Sequence, residues 1–509
     1  MRLRTILAAA LAAFVLMLAG PARAEWLRAE SPNFIAYSES RESRVREQVA
    51  QLEDFDRLLR MLSGTTTAPS PSKLNIYFVR GGAGLNAIRP MRASAAGFYT
   101  ASLEGPIAVV DETQNTGENN NDLLFHEYAH HFMLQYHPAA YPAWYVEGFA
   151  EYVMTARIFP NRMEFGHYNP GRAYVLSERR DWLPWERILF PAENQRLSAD
   201  DLGRFYAQSW LLVHYLVRDE GRRLKLRSYF AALSRGDEPR QAFATAFGTS
   251  LADLGRAMQR YPDEMTFTRG TRAEAAVAPA IAVRRLPESA DDLLLAYAAV
   301  KAGVPEARRE ALLARIRRDG ARHADPFARR VLAHAEILYG DPAAAEPLLD
   351  VLLQAAPNDA DLLYLRGLRH IMAGQANAAV RAAQYRLAQP WLVRAHRANE
   401  NHFPALFRYA QSLSLERRFV SDNTQNVLLL AAHLAPQVPG IRIAAARMLL
   451  RRDQFDTAEA LLRPLTGSAH RSAGADEAAR LLDLARRRQR LSDAEPQAEP
   501  AEEPAAEDE

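Results

Sequence analysis

Cysteine is absent from the 509-residue chain. An exported protein of this length without cysteine must be held by its core rather than by disulfides, and a lipid anchor built on a cysteine after cleavage is excluded. Long apolar runs are almost as scarce. The one candidate, Ile6 to Leu18, is shorter than the ~20 apolar residues a membrane-spanning helix needs, and no later stretch is long and apolar enough to span. Net charge is small, at +2, and the basic residues are spread along helical patterns without aromatic interleaving, so no nucleic-acid partner is expected. A phosphate loop is missing as well. Gly81-Gly82-Ala83-Gly84 lacks the Gly-Lys-Ser/Thr ending and is expected to be a strand-end turn.

What the chain does contain is ample apolar material, 48% of its residues, enough for two or three domains with sizeable cores. Arg2 and Arg4 precede the Ile6–Leu18 run, and Ala22-Arg23-Ala24 stands before a polar Glu25. This is the pattern of a secretory signal peptide over 1–24, and it predicts a periplasmic or secreted protein with no stable membrane span after cleavage. At the other end the segment 491–509 is rich in Glu, Pro and Ala. Residues 493–509 hold eight acids and no base, the composition of a disordered, solvating tail.

Between these ends the first block reads as α/β. Phe34, Ile35 and Tyr37 suggest a short strand or strand pair, and Val45, Val49, Leu52, Phe55, Leu58 and Leu59 recur at the three- and four-residue steps of an amphipathic helix. Lys73–Val79 reads as another strand, and Gly97–Thr100 with Pro106–Val110 as two more, arranged as a hairpin. The polar loop 115–122 follows, where Asn121 or Asp122 is placed to cap the next helix.

That helix carries His126-Glu127-Tyr128-Ala129-His130. Residues four apart share a helix face, so His126 and His130 can direct their rings at one atom. Zinc accepts imidazole nitrogens and carboxylate oxygens, and catalytic sites use three protein ligands with a fourth position left open. Glu147, in Trp144-Tyr145-Val146-Glu147-Gly148-Phe149-Ala150, supplies the third ligand. Glu127 is rotated away from the ligand pair and occupies a general-base position toward a water on the metal. With 13 His in the chain, composition yields roughly 0.02 such strings by chance. The apolar flank of Leu123, Leu124, Phe125, Ala129, Phe132, Met133 and Leu134 marks a buried helix, in which two histidines and a glutamate must be satisfied by a metal or by core hydrogen bonds.

His-Glu-Tyr-Ala-His followed by the Glu of Trp-Tyr-Val-Glu-Gly-Phe-Ala-Glu-Tyr resembles the gluzincin metallopeptidases. In that family HExxH lies on one helix and the third ligand belongs to a Glu-Gly-x-Ala segment on the next. The resemblance is firm over 126–151 and implies one Zn²⁺ held by His126, His130 and Glu147, with Glu127 as the base. It places Glu151 beneath a ligand histidine, orienting it, while the residue pattern alone equally allows Glu151 to lie on the helix surface. It further implies that an extended peptide adds to a sheet edge beside the metal, for which Gly97–Val110 is the candidate edge.

The segment Phe205-Tyr206-Ala207-Gln208-Ser209-Trp210-Leu211-Leu212-Val213-His214-Tyr215-Leu216 is similar to the stretch that follows the metal motifs in secreted bacterial peptidase-MA-like proteins. Gluzincins often place a Tyr or His well downstream of the ligands to face the developing oxyanion, and Tyr206 is the residue expected to do so here. His214 and His131 are weaker candidates, better read as satisfied core histidines. Trp182, Trp185, Phe190 and Tyr174 either cover the cleft or fill a small core. Residues 226–270 read as further helices closing an α-helical subdomain.

The metallopeptidase-like domain is thus expected over 25–272, a linker over 273–290, and an Ala/Leu/Arg-rich helical domain over 291–490. In that last domain Gly340-Asp341-Pro342-Ala343-Ala344-Ala345 and Gly374-Gln375-Ala376-Asn377-Ala378-Ala379 are related by 34 residues, the tetratricopeptide period. Gln454–Ala460 reads as a degenerate copy and Gln389–Ser421 as irregular. The expected class is α+β, mostly α: a gluzincin-like domain with a small sheet and a helical subdomain, then a TPR-like solenoid. The expected function is a zinc metallopeptidase acting on a protein or peptide substrate, with the solenoid recruiting a protein partner or the substrate. The alternative is a catalytically silent scaffold that works as an interaction module.

Overall fold

The structure, a computed structural model, describes residues 25–492 except 92–95, 114–120, 160, 192–196, 272–278, 417–418 and 467–473. The expected signal peptide and the acidic residues 493–509 lie outside the described residues. Over the described residues the chain is α+β and mostly α, with one six-stranded mixed sheet and one three-stranded sheet.

The large sheet is built from β1 (Leu27–Glu30), β2 (Phe34–Ser38), β3 (Leu74–Val79), β4 (Gly97–Ser102), β5 (Gly105–Asp111) and β9 (Ala282–Arg285), in the order β4-β5-β3-β2-β1-β9. β2, β3 and β5 are parallel, and β1, β4 and β9 pair antiparallel at the flanks. A parallel centre needs cover on both faces. On one face Phe34, Ala36, Leu74, Ile76, Phe78, Ala108 and Val110 pack against α1 (Glu42–Ser63) and α3 (Asp122–Tyr136). On the other, Tyr77, Val79, Ile107 and Val109 pack against Leu85 and Ile88 of α2 (Gly81–Ile88) and against Ala290, Leu294 and Ala298 of α11 (Ser289–Ala302).

Two expectations are corrected here. Gly81–Gly84 is the first turn of α2 rather than a strand-end turn. Its start is held from outside, because the Asp111 carboxylate accepts the Gly81 N–H at 2.7 Å, and Gly84 sits so close to β3 that a Cβ would lie 2.6 Å from that of Val79. The stretch 273–290, expected as a linker, contributes β9 to the sheet edge through pairing with β1. The first helix of the C-terminal half is therefore a layer of the N-terminal unit.

After α3 come α4 (Ala143–Met154), β6 (Arg157–Ile158), β7 (Arg162–Phe165), α5 (Pro170–Ser177), α6 (Trp185–Leu189), α7 (Ala199–Arg218), α8 (Glu220–Arg235), α9 (Pro239–Phe247), α10 (Leu251–Arg260) and β8 (Thr268–Thr271). Trp182, Trp185 and Phe190 fill the core of this helical part, while Tyr174 is exposed.

The remaining helices are α12 (Glu306–Gly320), α13 (Pro326–Tyr339), α14 (Glu346–Ala355), α15 (Ala360–Ala376), α16 (Arg381–Ala398), α17 (Phe403–Ser412), α18 (Asp422–Leu434), α19 (Pro439–Arg451), α20 (Phe455–Thr466) and α21 (Ala475–Arg486). The alternate helices α11, α13, α15 and α17 also touch one another in sequence, so the array has an inner row. Leu491, assigned to the tail by composition, is buried in the last cluster of this array with Phe455, Leu481 and Ala485. Among the described residues no helix is long and apolar enough to cross a membrane.

Candidate metal centre

α3 and α4 pack so that His126 and His130 of the first and Glu147 of the second face one point. Apolar side chains on α3, among them Leu124, Phe125, Tyr128 and Phe132, bury one side of the helix in the sheet core. The Phe55 and Phe125 rings stack at 4.0 Å, and the Tyr128 hydroxyl donates to Asp56 at 2.6 Å. That packing fixes the rotation of α3 and turns His126 and His130 toward α4. Neither Asn121 nor Asp122 caps the helix with its side chain, contrary to expectation. The Asn121 amide instead donates to Gln51 on α1, so the tertiary contact wins over the local one.

α4 is aligned by its contact with α7. A Cβ on Gly148 would lie 2.4 Å from the Ser209 carbonyl oxygen and 2.7 Å from the Val213 side chain. Only a glycine lets the two backbones approach this closely. α7 is itself tied down by Gln208, whose amide accepts from the Leu183 N–H at 2.7 Å and donates to the Leu183 carbonyl at 3.0 Å.

The geometry that results is compact. The Nε2 atoms of His126 and His130 are 3.0 Å apart, and Glu147 Oε2 is 3.6 Å from the first and 3.4 Å from the second. Two imidazole nitrogens and an oxygen held around a tetrahedral ion at ~2.0–2.1 Å would be separated by about 3.3 Å. The three atoms match that triangle, so the buried group could hold a metal ion. Electrostatics agree. Burial disfavours a charge on His126, yet Glu147, Glu151 and Glu127 override it and hold the imidazole up at about 9. A site that retains a proton this firmly has the negative potential a cation would neutralise.

Glu151 lies beneath the cluster rather than on the surface. It is 1% exposed, and its Oε1 is 3.7 Å from His126 Nδ1. Arg172 on α5 grips the same carboxylate with Nε at 2.9 Å and Nη2 at 2.6 Å. A buried carboxylate without such a partner would be strongly destabilising, and Arg172 brings that partner to Glu151 from α5. Sequence reasoning missed Arg172. Its helix start was readable, because Asn169 caps α5 by accepting the N–H groups of Gly171 and Arg172, with Pro170 in the first turn. Nothing local indicates which carboxylate the arginine meets.

Tyr206 joins this group. Its ring is buried, 6.4 Å from the His126 ring, with the Arg172 guanidinium 5.0 Å from its centre. Glu127 is half-buried and close enough for its charge to act on His126. The other two histidines point elsewhere. His131 faces β4, with its Nδ1 3.1 Å from the Tyr99 hydroxyl, and burial pushes it down to about 3. His214 is enclosed between the Tyr261 hydroxyl at 2.8 Å and the Gly166 carbonyl at 3.1 Å, and burial pushes it down to about 4.

Comparison with known proteins gives no relative. No protein-family model matches the chain, and neither the curated proteins nor the solved structures contain a match.

Proposed function

We propose that this chain is an exported, zinc-dependent peptidase of the gluzincin type, periplasmic or secreted. The observation that carries the reading is the triangle of His126 Nε2, His130 Nε2 and Glu147 Oε2, all within reach of one ion. A zinc ion there supplies Lewis acidity, polarising a carbonyl and bringing the pKa of a water toward ~7. The chain's own residues do the rest. Glu127 takes the proton from the attacking water and returns it to the leaving amine. Glu151, held by Arg172, keeps the His126 ring oriented. Tyr206 faces the carbonyl oxygen as charge develops on it.

The edge position of β4 supports an extended peptide as substrate. Among the described residues strand β4 pairs on one side only, with β5, and through Tyr99 it touches His131, the neighbour of His130. A substrate backbone could add to this edge and carry a peptide bond toward the metal. We read the C-terminal helices as a TPR-like stack that recruits a protein partner or the substrate. The 34-residue spacing of Gly340 and Gly374 and the inner row of alternate helices support that reading.

Purified protein loaded with zinc is expected to cleave an unfolded polypeptide, to lose at least nine-tenths of its rate to a metal chelator, and to regain it on zinc addition. Cleavage that is indifferent to chelation would overturn the assignment.

A further inference from the structure

The inner row of the helical array is not empty. The two-residue turn between β4 and β5, Leu103-Glu104, reaches into it. Glu104 Oε1 accepts a hydrogen bond from the Tyr364 hydroxyl of α15 at 2.8 Å, and Oε2 is 3.3 Å from His334 Nε2 of α13. Next to it, the Ser102 hydroxyl donates to the Lys301 carbonyl at the end of α11 at 2.7 Å. Ala101 is buried in one cluster with Phe403, Leu406 and Phe407 of α17, against which Tyr99 and Leu103 also pack. Four alternate helices thus meet one end of the β4–β5 hairpin.

The binding has the marks of a specific carboxylate pocket. His334 and Tyr364 are both almost fully buried. Burial alone would raise the Glu104 carboxyl, yet His334, Tyr364 and the Arg408 guanidinium together hold it down at about 2. The charge is therefore favoured in place, and a buried charge that accepts from Tyr364 and lies beside His334 is far more costly to leave half-paired than a surface one. The same strand then runs back to the metal centre. Tyr99 bonds His131 at 3.1 Å, and Gly97 lies against Leu123 at the start of α3.

We propose that the helical array holds the β4–β5 hairpin as an internal ligand, with Glu104 as the positioning residue that fixes the edge strand beside the metal centre. The substrate-binding part of this rests on the peptidase reading above; the holding of the hairpin does not. On this account a partner of the array docks outside the part of the inner row that the hairpin fills. It also gives the array a role in the site without any residue in it.

The test compares wild type with Glu104→Ala and Glu104→Gln in the full chain, with Tyr364→Phe as a milder second lesion should Glu104→Ala fail to fold. Amide hydrogen exchange, zinc content, and kcat and KM on a mixture of quenched-fluorescent peptides are measured. The expected result is at least tenfold faster exchange confined to 97–111, unchanged zinc, a KM raised severalfold with kcat nearly kept, and partial rescue in Glu104→Gln, which can still accept from Tyr364 but offers His334 no charge. Unchanged exchange in 97–111, exchange raised equally throughout the chain, or a loosened hairpin with unaltered KM would overturn the proposal. Zinc-loaded wild type that cleaves no peptide would count against the peptidase reading, and the exchange comparison would still decide whether the array holds the hairpin.

Discussion

Glu127→Gln is expected to lower kcat about a thousandfold while zinc content and thermal stability stay near the wild-type values. The substitution keeps the volume and hydrogen-bonding shape of the side chain and removes the proton-accepting charge. Glu127 is only half-buried and is not one of the three atoms of the triangle, so its loss neither opens a cavity nor removes a ligand. Loss of rate with loss of metal would instead make Glu127 part of the binding group. Unchanged biological activity in this variant would favour the scaffold alternative, in which the fold serves protein binding and the site is silent.

The second large effect concerns stability and has an unusual sign. Gly→Ala inside a helix ordinarily stabilises by about 1 kcal/mol through backbone entropy. Gly148→Ala is expected to destabilise by about 3 kcal/mol or more, because the new Cβ would meet the Ser209 carbonyl oxygen at 2.4 Å. Neither backbone can retreat freely. α4 also presents Glu147 to the histidines, so the forced separation of α4 from α7 moves a ligand as well. Thermal unfolding is expected to show a Tm lowered by about 5 °C or more, and zinc affinity should fall with it. A stabilised Gly148→Ala protein would show that the two helices are not locked at this crossing.

Much of the centre was legible because its geometry is local. An i, i+4 histidine pair needs only a helix to converge, and the apolar residues around His126 indicated one. Glu147 follows in the next helix, close in sequence, and the two short strand segments within 97–110 mark the hairpin that forms the sheet edge. What stayed hidden depends on partners distant in the chain. The Gly81–Gly84 segment has poor intrinsic helix propensity, and its helix start is held by Asp111 from another strand. β9 carries no apolar alternation because it is an exposed edge strand, so composition read it as linker. The region 389–421, irregular by pattern, contains the end of α16 and all of α17. α16 passes through Pro390, which is exposed, so the carbonyl left without an N–H can be met by water. Arg172 with Glu151, and Glu104 with His334 and Tyr364, are pairings of 21 to 260 residues' separation. No periodicity records contacts of that kind.

The central claim is that three side chains from two helices form one zinc site, and elemental analysis of the purified mature protein tests it most directly. Wild type and Glu147→Ala are prepared in parallel without chelator, challenged with zinc and desalted. About one zinc per chain in wild type and little in the variant is the predicted result. A wild type that binds no metal under these conditions, or a variant that retains as much zinc as wild type, would contradict it.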